Sequence, residues 1–152
     1  MEHYYERIWG IENEYDTGRI AYIYEFIKKL GIQEFSLVDV ACGNGLIADG
    51  LAYLFPKSKT EQFDIFYYPE WNHLRVKPQC IDLEEFIKQG RSYDVVLFLN
   101  SYRNYDGKQR EKFNEWVTTH AKYFICSGGN FENPEIIGKD VKGHDIEAYK
   151  FE

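Results

Sequence analysis

The sequence predicts a doubly wound α/β fold, with a mainly parallel sheet covered by helices on both faces. Three observations carry this expectation. Short apolar runs alternate with segments of helical periodicity along most of the chain, and such alternation implies crossover connections between parallel strands. One of the apolar runs, FSLVDVA at 35–41, leads straight into a glycine-bearing turn that opens a helix. The chain has 152 residues, the size of one domain, and a chain of that length buries roughly 70% of its unfolded surface.

The elements follow in order. Residues 17–30 place Ile20, Ile23, Tyr24, Ile27 and Leu30 at helical spacing, and Gly31 supplies a stop. After the strand at 35–41, the turn CGNG leads into a helix with Leu46, Ile47, Leu51 and Leu54 on one side and Pro56 beyond its end. Thr60–Phe66 reads as a second strand and Gln79–Ile81 as a very short third one. Residues 82–89 form a helix, with Asp82 three residues ahead of Glu85 in capping-box spacing and Gly90 at the stop. Val95–Leu99 is a buried strand. Phe113, Trp116, Val117 and Ala121 mark a helix over 107–122, and YFICS at 123–127 is a further strand before Gly128 and Gly129. In the tail, one strand is expected at Ile146–Phe151. The expected organisation is a single domain: a helical N-terminal cap over 1–33, a core sheet over 34–130 and a short tail over 131–152.

Composition narrows the function classes. Apolar residues make up 44% and aromatics 18%, which excludes a disordered chain. Eighteen Lys and Arg stand against 25 Asp and Glu, a net charge of −7. That balance disfavours a broad nucleic-acid or anionic-membrane footprint, because both need clustered cations. No apolar run reaches the ~18 residues of a membrane span, and the N-terminal MEHYYERIWG has no signal-peptide pattern. The three cysteines, Cys42, Cys80 and Cys126, show no disulfide or zinc spacing and are expected as buried thiols in a reducing cytoplasm. The four scattered histidines predict no metal site.

Chemistry concentrates at the glycine turn. In parallel sheets, ligands bind beyond the carboxyl ends of the strands where strand order reverses; here the first and fourth strands should flank that point. Gly43 and Gly45 permit positive φ and close approach of a ligand to the backbone. The spacing of Gly43, Gly45 and Ala48 also fits a dinucleotide turn. Asp39 lies within an apolar strand and must find donors, since a buried unpaired carboxylate is costly. Asp64 closes the second strand 19 residues after Gly45, where acids bind ribose hydroxyls in this architecture. The competing reading is a loop acid that caps backbone.

The run VDVACGNGLIADGLA at 38–52 resembles the first motif of class I S-adenosylmethionine-dependent methyltransferases, whose fold is Rossmann-like. The resemblance spans about residues 35–130. It implies a cofactor site built from Asp39, Ala41, Cys42, Gly43, Asn44 and Gly45, with Asp64 and Ile65 at the ribose and Ile81 and Asp82 at the adenine. YDVVLFLNSY at 93–102 resembles the fourth motif and implies that Asn100 and Ser101 face the methionine half and the incoming substrate. Two departures are visible. Only 18 residues separate Asp64 from Asp82, with Pro69 among them, so the usual helix between strands two and three must shrink to a turn or vanish. Only 22 residues follow Asn130, which implies a shortened version of the antiparallel strand pair that helps shape the substrate site.

Several residues carry rival readings. Asp82 sits where a helix N-cap belongs. Asn100, Tyr102 and His73 are the candidates for a catalytic group, against ordinary turn and loop roles. The aromatics His3, Tyr4, Tyr5, Trp9, Tyr15, Tyr22 and Tyr24 suit either a sulfonium cation or a helix packed on a sheet. The expected function is transfer of a methyl group from S-adenosylmethionine to a small molecule or a protein. The alternatives are a non-catalytic cofactor-binding partner or sensor, an enzyme that cleaves the same cofactor, and a nicotinamide-dependent oxidoreductase. A homodimer or a partner subunit is a further expectation, because so little chain is left to grip an acceptor.

Overall fold

The computed structural model describes residues 14–102, 105 and 107–151. His3, Tyr4, Tyr5 and Trp9 lie outside the described residues. The elements run α1 (Glu14–Leu30), β1 (Ser36–Val40), α2 (Leu46–Leu54), β2 (Lys59–Asp64), a 3-10 turn (Pro69–His73), β3 (Gln79–Cys80), α3 (Leu83–Lys88), β4 (Tyr93–Phe98), α4 (Gly107–His120), β5 (Ala121–Cys126), β6 (Glu135–Lys139) and β7 (Asp145–Lys150).

The seven strands form one sheet in the order β3-β2-β1-β4-β5-β7-β6. The first five are parallel to one another, while β7 pairs antiparallel with both β5 and β6. Strand order reverses between β1 and β4, as the sequence led us to expect. Apolar side chains fill both faces. On one, Ile20, Ile23 and Ile27 of α1 and Ile47 and Leu51 of α2 pack on Leu37, Val95, Leu97 and Ile125. On the other, Phe86 of α3 and Phe113, Trp116 and Val117 of α4 pack on Val38, Val40, Val96, Phe98 and Phe124. The alternation of Leu37 with Val38 between the two cores is the two-residue period of a strand buried on both sides. Many of the abundant rings belong to the second core, where Phe98, Tyr102, Phe113 and Phe124 make edge and tilted contacts 4.9–5.9 Å between centroids.

The crossover from β2 to β3 holds no α-helix, only the 3-10 turn that Pro69 begins, in line with the short spacing there. The tail corrects an expectation. It forms two strands, not one, because β6 completes an antiparallel pair with β7. β6 escapes the sequence pattern because it is an edge strand with little burial and a register irregularity between Ile136 and Gly138. Gly138 is required there: a Cβ would fall 2.3 Å from the Tyr22 ring of α1. Cys80 is also corrected. It is exposed on the two-residue edge strand β3, while Cys42 and Cys126 are buried. None of the described helices is long and apolar enough to cross a membrane.

Candidate functional site

A cleft of about 580 Å³ opens at the carboxyl ends of β1, β2 and β4, where α1 crosses the glycine turn. Its walls include Tyr15, Asp16 and Arg19 of α1, Ala41, Gly43 and Asn44 of the turn, Asp64 to Phe66 after β2, and Asn100, Ser101 and Tyr105 after β4. A smaller hollow between the end of α1 and Phe55–Lys57 lies near the amino ends of the strands, away from the glycine turn.

The turn is shaped by backbone constraint. Ala41, Gly43 and Gly45 all have positive φ, at 53°, 61° and 82°. Ala41 is the strained member, since a residue with a Cβ rarely adopts that region. The two glycines serve different ends. A Cβ on Gly43 would lie 3.3 Å from Asn100 Nδ2, at the floor of the cleft. A Cβ on Gly45 would lie 2.5 Å from Leu74 Cδ1 and near the Gln62 amide, inside the protein. Gly43 therefore keeps the cleft open, while Gly45 lets α2 close on the chain beneath it. Asn44 Oδ1 accepts from the Leu46 N–H at 3.0 Å, an Asx turn that satisfies one free donor at the start of α2. The Cys42 side chain is buried in the core under α2, and burial beside Asp39 and Asp64 pushes its thiol far up.

The acids form the electrostatic floor. Asp39 is fully buried on β1, and neither carboxylate oxygen has a hydrogen-bond partner. Burial pushes its pKa up to about 8; Arg19 pulls it down, and Asp64 and Asp16 add to the rise. Asp64 accepts from the Gly43 N–H through Oδ2 at 2.8 Å and from the Phe66 N–H through Oδ1 at 3.1 Å. The backbone-capping reading of Asp64 is therefore correct as far as it goes. A carboxylate has about four lone-pair sites, so each oxygen can still accept from a ligand hydroxyl. Asp82 caps α3, accepting from the Glu85 N–H at 2.8 Å. Ile81 and Asp82 are half-buried beside the cleft and do not line it. Tyr105, a wall residue whose hydroxyl is held protonated by burial, feels the charges of both Asp64 and Asp82.

Two site residues came only from the structure. Arg19 is 3% exposed; its guanidinium donates to Asp16 Oδ1 at 2.7 Å and to Asn100 Oδ1 at 2.9 Å, and stacks 3.7 Å from the Tyr15 ring centroid. Asp16 also accepts from Asn44 Nδ2 at 3.3 Å. Asp16 and Arg19 stand three apart on α1, a spacing that ordinarily marks a surface ion pair, and nothing local shows that this face of α1 covers the turn. Asn100 Nδ2 donates to the Ala41 carbonyl at 3.3 Å, so Asn100 ties β4 to the turn and to α1 as well as facing the cleft.

Four further candidates lie outside the cleft. Tyr102 is 1% exposed, and its hydroxyl donates to Asn114 Oδ1 at 2.7 Å within the aromatic core. It does not reach the cleft and cannot act on a ligand there. His73 is exposed at the end of the 3-10 turn, outside the cleft. Of the N-terminal rings described, only Tyr15 reaches the cleft; Tyr22 packs on Gly138 and Tyr24 on Phe55. Among the described residues, no group of three His, Cys, Asp or Glu side chains converges in a way that could hold a metal.

No protein-family model and no curated protein matches the sequence. Solved structures do match the fold. Magnesium protoporphyrin IX methyltransferase ChlM from Synechocystis, solved with bound SAM, superposes at a TM-score of 0.69 with 14% identity, over 99% of this chain and 91% of that one. The plantazolicin methyltransferase BpumL, in complex with SAH and a monoazolic desmethylPZN analog, gives 0.59 and 17% over 83% and 51%. The bifunctional kinase-methyltransferase WbdD gives 0.66 and 13%, with 88% of this chain covering 39% of that chain. At these identities the likeness establishes the fold, which is that of class I methyltransferases.

Proposed function

We propose that the cleft binds S-adenosylmethionine and that the protein transfers its methyl group to an acceptor. The observation that carries this reading is the cleft wall, in which Asp16 and Asp64 stand with Arg19 as the one cation among the described lining residues, above the fully buried and unpartnered Asp39. A site with surplus negative charge and tyrosine rings in its walls suits a ligand bearing a sulfonium and an ammonium. Gly43 leaves the floor free of a side chain, and Asp64 keeps lone pairs for ribose hydroxyls. In this reading Asn44 and Arg19 of the cleft wall hold the methionine part, with Asp39 buried beneath them and outside the lining. Ile65 and Tyr105 flank the end that would take the base, with Asp82 behind them.

When bound, the cofactor supplies an activated methyl group on a sulfonium. The chain's own residues therefore contribute position and charge more than bond-breaking chemistry. Asn100 and Ser101, just after β4, line the cleft together with Tyr15 and Tyr68. With His73 and Tyr102 outside the cleft, no described histidine is placed as a general base. An acceptor whose nucleophile needs no strong base fits this lining. The β6–β7 pair supports the transfer reading, since its turn brings Lys142 Nζ to 4.3 Å from the ring centroid of the cleft residue Tyr15.

Binding is tested by calorimetry and thermal shift with S-adenosylmethionine, S-adenosylhomocysteine and NAD. The two sulfur ligands should raise the melting temperature as RT ln(1 + [L]/Kd) requires, and Asp64→Ala should remove most of that shift. No response at millimolar ligand would end the proposal. Labelled methyl donor with candidate acceptors then separates transfer from binding alone, and breakdown without an acceptor would favour cofactor cleavage.

A further inference from the structure

Resting on the cofactor reading above, we infer that Trp71 is a positioning residue for the glycine turn, built into the shortened β2–β3 crossover. Its indole N–H donates to the Gly43 carbonyl at 2.8 Å, and the ring is 4% exposed. The Gly43 N–H meanwhile donates to Asp64. Both backbone polar groups of the residue that forms the cleft floor are thus held by side chains from the same stretch of chain. Their joint effect is to hold Gly43 at φ +61°, with its bare Cα turned to Asn100 and the cleft.

The crossover that carries Trp71 is itself tied to the elements around the turn. Asp49, fully buried on α2, accepts from the Arg75 and Val76 N–H groups at 2.8 and 3.0 Å. Gln62 on β2 donates to the Val76 carbonyl at 2.8 Å. Lys77 Nζ donates to the Trp71 and Asn72 carbonyls that end the 3-10 turn. Leu74 fills the space that the missing Cβ of Gly45 leaves. Residues 69–77 therefore form a brace whose one contact with a cleft-floor backbone group is the indole. The indole is the strong donor to this part-buried carbonyl, whose other recorded donor is the Cys42 thiol at 3.7 Å; losing it leaves the oxygen poorly satisfied, and a glycine at positive φ has alternative conformations close at hand. Without the donor, the floor of the cleft loses its single geometry.

Trp71→Phe removes the donor and keeps most of the ring. The expected result is a Kd for S-adenosylhomocysteine weakened about tenfold, as the loss of one hydrogen bond of ordinary net strength implies, with amide exchange at residues 43–45 faster by a similar factor. Val117→Ala, in the core on the opposite face of the sheet, is the control. It should lower the melting temperature and leave both readouts unchanged. A Kd within twofold of wild type with unchanged exchange at 43–45 would overturn the role, and a loss confined to melting temperature would make Trp71 a packing residue only. Should the Phe variant not fold, replacing Trp71 by benzothienylalanine exchanges the N–H for sulfur at nearly constant shape, and the same two outcomes decide. If the wild-type protein binds no S-adenosylhomocysteine, the cofactor reading fails; the exchange measurement then decides the role of Trp71 by itself.

Discussion

Asp39→Asn is the sharpest perturbation of this site, because the change is nearly isosteric and removes only the ionisable group. In the folded protein Asp39 is fully buried, its oxygens are unpartnered, and its pKa is pushed up to about 8 from an ordinary 3.8, first by burial and then by Asp64 and Asp16 against the pull of Arg19. The sign follows from proton binding. Between pH 4 and 8 the folded state holds a proton that the unfolded chain has released. Stability is therefore greatest below pH 4, declines as pH rises, and levels off above about 8. At 1.36 kcal/mol per unit, the wild type should lose roughly 3–4 kcal/mol relative to Asp39→Asn between pH 5 and pH 8. For a chain of this size that is about 6–16 °C in Tm. Urea unfolding of both proteins at the two pH values measures it, and the difference between them cancels the titration of the histidines and every other shared group. Saturating S-adenosylmethionine should shrink the effect, because a cation beside Asp39 favours its ionised form. A stability difference between the two proteins that stays flat from pH 5 to 8 would refute the reasoning. It would mean that Arg19 keeps Asp39 ionised throughout.

Two further predictions separate residues that sequence alone treats alike. Gly45→Ala should destabilise by about 2–4 kcal/mol, combining the cost of positive φ with overpacking against Leu74. Gly43→Ala should instead show its main loss in S-adenosylhomocysteine affinity, since its Cβ enters the cleft floor; urea unfolding and calorimetry distinguish the pair. Tyr102→Phe should cost about 1 kcal/mol for the lost bond to Asn114 and leave S-adenosylhomocysteine affinity unchanged, and a large affinity loss would return Tyr102 to the site.

The parts of the site that were legible in the sequence are those set by neighbours a few residues apart. A strand entering a turn at Gly43 and leaving as α2 depends on local φ and on apolar periodicity, and both are written in residues 35–54. The N-cap at Asp82 and the stops at Gly31 and Gly90 are equally local. Asp64 was placed by its distance along the chain, which works because each strand in a crossover unit ends on the same side of the sheet. Packing between distant elements decides the rest. Tyr102 directly follows the site residue Ser101, yet a rotation of one residue carries its ring from the cleft into the aromatic core. β6 lacks the apolar run that marks a strand, because an edge strand needs burial on only part of its surface.

The sequence by itself determined the order of strands and helices as far as β5, the glycine turn and the pair of carboxylates Asp39 and Asp64, since periodicity, turn chemistry and spacing along the chain are local quantities. Only the tertiary structure decided which faces meet. It laid Asp16 and Arg19 across the turn from α1, brought Asn100 to the Ala41 carbonyl 59 residues away, and set Trp71 against Gly43 from a crossover too short to hold a helix. These are contacts between elements distant in sequence. Their partners are chosen by how apolar faces pack on a twisted sheet, and no short stretch of chain carries that information.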